Sequence, residues 1–190
     1  MKLGKTLQVS DRRAWRSWLA RHHDREKEIW LVYPRRATGH ARISYNAAVE
    51  EALCYGWIDS TLKSVDATRL AQRFSPRRRA SGLSQMNRER VRELIAKKKM
   101  TRAGLAAIAH VFDPKTDAAA RFRIAPDITR ALKADAAAWR EWRRFPARYR
   151  RIRVAYVEHA RSRGANAFQT RLANLVKMTA RGKRIGFVRD

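Results

Sequence analysis

The chain has 190 residues, 45% of them hydrophobic and six of them tryptophan, enough for one good core and at most a small helical appendage. Its 44 Lys and Arg against 17 Asp and Glu give a net charge of +27, so its surface should hold anions, whether nucleic acid, acidic protein or lipid head groups. A single cysteine excludes an intramolecular disulfide, and no run approaches the ~18 apolar residues of a membrane span.

The opening MKLGKTLQVSDRRAW lacks the apolar h-region of a signal peptide, so a soluble, cytoplasmic protein without integral membrane association is expected. The charge is uneven. Residues 1–96 carry 20 basic and 10 acidic side chains, and residues 97–190 carry 24 and 7. Arg and Ala enrichment of this kind also follows from a high-GC genome, so charge alone does not select a partner.

In chain order, Ser10-Asp11 reads as a helix start, and Trp15, Trp18, Leu19 and His22 share one face at i, i+3, i+4 and i+7. Two tryptophans one turn apart are read as core before they are read as a ligand platform. Ile29–Arg35, aromatic and β-branched, reads as a strand, and Thr38-Gly39-His40 as a loop. Ser44 is an N-cap. Ala47, Ala48, Leu53 and Cys54 make the apolar face of the helix that follows, and Gly56 stands where a left-handed residue ends it. Trp57–Val65 and Thr68–Ser75 then read as paired strands turning at Asp66-Ala-Thr.

Pro76 to Gly82 reads as a loop, and Ser84 and Thr101 as caps of two amphipathic helices, with the basic run Lys97-Lys98-Lys99 between them. The remaining third reads as all helical: Pro126 in a first turn, Asp135 capping a helix with Trp139 and Trp142 facing inward, a break at Phe145-Pro146, and a helix 148–161 with Tyr149, Ile152, Tyr156 and His159 on its inner face. Asn166 to Thr179 closes the set. The expected fold class is therefore α+β, a small antiparallel sheet flanked by helices and followed by an all-helical C-terminal segment. The expected division is a 1–112 core, a 113–123 linker, a 124–180 helical segment and a mobile basic tail at 181–190.

Few residues invite chemistry. Cys54 sits near a helix C-terminus among apolar neighbours, which disfavours the thiolate. The five histidines have no zinc-ligand spacing, and GxxxxGK[ST], GxGxxG and GxSxG are absent, so no metal or cofactor is expected. Glu50 and Glu51 are splayed on a helix and do not form an acid and base pair. What remains is a carboxylate with guanidinium and aromatic neighbours at the helix-to-strand junction: Asp59 with Tyr45, Trp57, Arg73, Ser75 and Arg77, read either as a ligand pocket or as an Asp-Arg pair that fixes strand register. A second candidate surface, for nucleic-acid phosphates, draws on Arg77, Arg78, Arg79, Lys97, Lys98, Lys99, Arg143, Arg144, Arg148, Arg150, Arg151 and Arg153, without any helix-turn-helix, RNP or finger signature.

Ile43-Ser-Tyr-Asn-Ala-Ala-Val-Glu-Glu-Ala-Leu-Cys-Tyr-Gly-Trp-Ile-Asp-Ser, Arg73-Phe-Ser-Pro-Arg-Arg, Ser84 to Asn87 and Lys99-Met-Thr-Arg-Ala-Gly-Leu resemble the bacterial YdeI/OmpD-associated, or bacteriocin-protection, family. The resemblance is dense from Trp15 to Ile108 and looser through Ile124-Ala-Pro-Asp-Ile, Phe145-Pro-Ala-Arg-Tyr and Gly182-Lys-Arg. The chain departs from the family at Leu83, where a tryptophan is usual, and at Gly164-Ala-Asn-Ala, which replaces a Pro-Glu-Thr-Arg segment. The resemblance implies a role in stress tolerance and resistance to cationic antimicrobial peptides. A net +27 repels such peptides at long range, so direct capture is disfavoured. The expected function is a non-enzymatic, cytoplasmic stress-protection or binding protein with an anionic partner, nucleic acid or acidic protein. The alternatives are a non-specific nucleic-acid binder and a small-molecule enzyme using Asp59 and Arg73.

Overall fold

The computed structural model describes residues 3–35, 42–119 and 122–186; the Thr38-Gly39-His40 loop and the last four residues of the tail lie outside them. The chain divides into two compact units, Met1–Asp117 and Ala118–Asp190. It is an α+β protein.

In the first unit, β1 (Thr6–Gln8), β2 (Ile29–Pro34), β3 (Trp57–Ser64) and β4 (Arg69–Pro76) form one sheet in the order β1-β2-β4-β3. The three longer strands are those the sequence predicts, and their pairing is antiparallel. The sheet is nevertheless mixed. β1, too short and polar to carry a periodic signal, pairs parallel to β2. Ile29, Leu31 and Tyr33 face the same side as Phe74 and Trp57, where α1 (Arg12–His22) and α2 (Tyr45–Cys54) cover them. Trp30, Val32 and Ala71 form the smaller cluster on the opposite side, under Leu3 and Val65. β2 is thus buried on both faces, which is why it reads as a continuous apolar run.

Trp15 and Trp18 are core residues, as read: their rings stack at 5.3 Å, and the Trp15 indole donates to the Ala48 carbonyl at 3.0 Å. Asp11, rather than Ser10, caps α1 by accepting from the Ala14 N–H at 2.8 Å. α1 and α2 are also clamped by charge. Glu51, 1% exposed, accepts from the Arg12 guanidinium and, at 2.6 Å, from Arg16.

α3 (Gln85–Ala96) and α4 (Arg102–Ile108) complete the first unit, capped by Ser84 and Thr101. Thr101 also ties α4 to the end of α2. Its hydroxyl donates to the Cys54 carbonyl at 2.5 Å and its amide to the same oxygen at 3.1 Å. Gly104 lies against that carbonyl so closely that a Cβ would overlap it, and Gly56, at φ +76°, turns the chain out of α2 into β3. The stretch 113–123, expected as a linker, begins with a short helix, α5 (Pro114–Ala119). Its Asp117 is drawn back onto α3 by Arg88 at 2.8 Å and Arg92 at 2.5 Å.

The second unit is helical among its described residues: α6 (Pro126–Ala134), α7 (Ala136–Arg144), α8 (Ala147–Glu158), a 3-10 turn at Arg161–Arg163 and α9 (Ala165–Ala180). Asp135 caps α7 by accepting from Ala138 at 2.9 Å, and Pro146 opens α8. Its buried apolar residues include Ile128, Leu132, Trp142, Tyr149, Ile152, Leu172 and Leu175. Three inward assignments are corrected. Trp139 is only half-buried, flanked by the Lys133 and Arg143 cations at 5.3 and 5.9 Å. On α8, His159 and Tyr156 are exposed while Arg153 is buried. The Arg153 guanidinium lies over the Tyr149 and Tyr156 rings, so a long aliphatic stem and a stacked head occupy an inward position that charge alone would place outside.

Candidate functional site

The pocket read from the sequence does not assemble as one site. β3 and β4 alternate, and Asp59 lies opposite Phe74 on the helix-covered face, while Arg73 lies opposite Trp30 on the other. The two side chains are therefore separated by the sheet. Asp59 accepts from the Tyr45 hydroxyl at 2.7 Å, and burial, then the neighbouring carboxylate, push the Tyr45 phenol up. Tyr45 is 41% exposed, so this pair is open to solvent at the start of α2.

Arg73 pairs with Glu28, a residue the sequence reading did not single out. Its Nε and Nη2 donate to Glu28 Oε2 at 2.8 and 2.5 Å, holding that carboxyl below its ordinary value, and Nη1 reaches the Ser60 hydroxyl at 3.3 Å. The Trp30 indole donates to the other oxygen of Glu28 at 3.3 Å, and Lys63 lies 5.1 Å over the Trp30 ring. Glu28 lies one residue before β2, at the edge of the aromatic and β-branched run, where the run gives its carboxylate no partner. Only the register, which a sequence without an Asn-Gly turn leaves open, brings it to Arg73.

Trp57 is not an aromatic wall. It is 1% exposed, set edge-on to Trp18, with its indole donating to the His23 carbonyl at 3.0 Å. Ser75 sits half-buried opposite Ile58. Arg77 is 8% exposed and donates through Nη2 to the Gly82 carbonyl, whereas its Nε and Nη1 are buried without a partner, and desolvation pulls its pKa down. It braces the 77–84 loop.

The basic candidates separate in the same way. Arg78, Arg79, Lys97 and Lys98 are exposed, with Lys97 paired to Glu93 and Lys98 at φ +53° closing α3. Lys99, Arg148, Arg150 and Arg151 are half-buried and Arg153 is buried, while Arg143 and Arg144 are exposed. α8 is therefore no comb of solvated arginines.

The acidic side chains of the second unit are largely engaged within it. Arg161 bridges Asp127 at 2.9 Å and Glu158 at 2.6 Å, Arg140 and Arg144 lie 3.3 and 3.5 Å from Glu141, and Asp135 is a helix cap. Residues 118–190 carry 19 basic and five acidic side chains, net +14. The unbalanced charge is concentrated there.

Among the described residues no group of His, Cys, Asp and Glu is placed to hold a metal, and no helix is long and apolar enough to cross a membrane. Cys54 is fully buried, and burial raises its thiol pKa.

Comparison with known families assigns the two units differently. Residues 7–107 match a domain of unknown function (DUF8412), and residues 121–182 match the bacteriocin-protection, YdeI or OmpD-associated (OmdA) domain. The second match falls where the resemblance read from the sequence is looser, and the dense stretch belongs to the first. No curated protein and no solved structure matches the chain significantly. The chain belongs to the family of that domain of unknown function, and its residues 121–182 are similar to the bacteriocin-protection, YdeI or OmpD-associated domain.

Proposed function

We propose that the protein is a non-enzymatic, cytoplasmic binding protein with a bacteriocin-protection-like role, and that it acts by holding an anionic partner on residues 118–190. The observation that carries this reading is the charge left over after internal pairing: 19 basic side chains share a unit with five acidic ones, four of which are already engaged by Arg161, Arg140, Arg144 and the α7 amide. Such a surface repels a cationic peptide. Protection is better served by covering an anionic target that the peptide would otherwise reach.

The test is fluorescence anisotropy of the whole chain with labelled poly-glutamate and with random DNA between ~50 and ~300 mM salt, a range that exposes counterion release. The triple substitution Arg130→Glu, Lys177→Glu and Arg181→Glu should abolish poly-glutamate binding, whereas Arg78→Glu with Arg79→Glu should leave most of it. Greater loss in Arg78→Glu with Arg79→Glu than in the triple variant would move the site to the first unit. Retention of DNA alone at the upper salt would favour the nucleic-acid alternative.

The solvent-open Tyr45–Asp59 pair supports a second reading, a small-ligand site on the first unit. Without Arg73 it offers one acceptor and one phenol.

A further inference from the structure

The second unit contains an open groove of about 680 Å³ between α6 and α9. Leu172, Val176, Ala131, Ala134, Ala173 and Ala180 give it its apolar lining. Alanines at these four positions leave it open, since larger apolar side chains there would fill it. Its lining along α9 and its C-cap runs from Gln169 to Arg181, thirteen residues, a rise of ~18 Å or about three helical turns at 1.5 Å per residue. Lys177 and Arg181 stand at one end, both exposed and neither in an ion pair with a described carboxylate. Asp135, which also lines the groove, is committed to the Ala138 amide.

An apolar trough three turns long, with cations at one end and set in a unit of net charge +14, fits a rod with an apolar stripe and acidic flanks. A second copy of this chain brings like charge and is disfavoured. We propose that the α6/α9 groove docks an acidic amphipathic helix of a partner protein, its apolar side chains at i, i+3/i+4 and i+7 entering the trough and its carboxylates meeting Lys177 and Arg181. This deepens the anionic-partner reading and rests on it: the charge brings the partner in, and the groove demands that it be helical.

The experiment uses the full-length protein and two fluorescein-labelled peptides of about four turns each. One places Leu at i, i+3, i+4 and i+7 with Glu on the flanks, and the other is a scramble of identical composition and charge. The patterned peptide should bind at least about tenfold more tightly than the scramble. Ala173→Trp, at an exposed position, fills the trough and should remove that difference while leaving the scramble's binding unchanged. Ala134→Glu, also exposed, should remove the preference by charge while weakening both peptides somewhat, and it guards against a misfolded tryptophan variant, with far-UV circular dichroism checking both. Lys177→Glu with Arg181→Glu should weaken both peptides about tenfold. Equal binding of the two peptides, or an unchanged preference in Ala173→Trp and Ala134→Glu, overturns the groove while the charge reading stands. Absence of binding by either peptide overturns both.

Discussion

Asp117 shows how much a single carboxylate does here. It is 9% exposed and takes hydrogen bonds from Arg88 and Arg92, which hold it below the usual carboxylate range against the burial that would raise it. A depressed folded pKa means that the pair contributes stability above the unfolded value of ~3.9 and loses it as pH falls through the folded one. Asp117→Asn should therefore cost about 2 kcal/mol near neutral pH in urea unfolding, and the gap to the parent should close below pH ~4. An equal gap at all pH values would assign the effect to packing. The sequence hid this residue inside an apparent linker, because Pro114 and a run of alanines outweigh one acidic side chain. It hid Glu28 for a different reason. Asp59 and Arg73 were legible as polar residues in apolar surroundings, but which face each takes depends on a register that only the folded sheet fixes.

At the scale of elements, caps and periodicity were informative. Ser44, Ser84, Thr101 and Asp135 each accept the amide three residues on, and the two tryptophans of α1 are core. The end of α2 through Trp57 and the Lys99-to-Leu105 stretch meet in space: Thr101 and Gly104 seat the start of α4 on the Cys54 carbonyl. Gly104→Ala should cost about 2 kcal/mol or more, since the new methyl meets backbone that cannot swing aside. Gly82→Ala, with open space around its Cβ, should change stability by less than about 0.5 kcal/mol in the same urea titration. Similar losses for both would mean that the α2–α4 contact is looser than described. β1 and the inward Arg153 were illegible, one too short for a pattern and the other of the wrong polarity for its place.

For the whole molecule, self-repulsion should outweigh the surface ion pairs. With a net charge of +27, added salt screens like charges over distances near the Debye length, ~10 Å at 0.1 M, more than it weakens short pairs such as Arg92–Asp117. Thermal midpoints should rise between ~20 and ~200 mM NaCl, as read by circular dichroism; a fall would show that ion pairs dominate. The irregular register of β3 has its own consequence at this scale. Both outer strands of the sheet are poor templates for strand addition: β1 is three residues long, and β3 breaks its ladder between Asp59 and Leu62 and carries Lys63. The exposed Leu62 therefore does not sit on a flat, paired-ready rim. An extended peptide has no continuous edge to zip onto, so the chain resists sheet-to-sheet polymerisation even when its charge is neutralised by a bound polyanion.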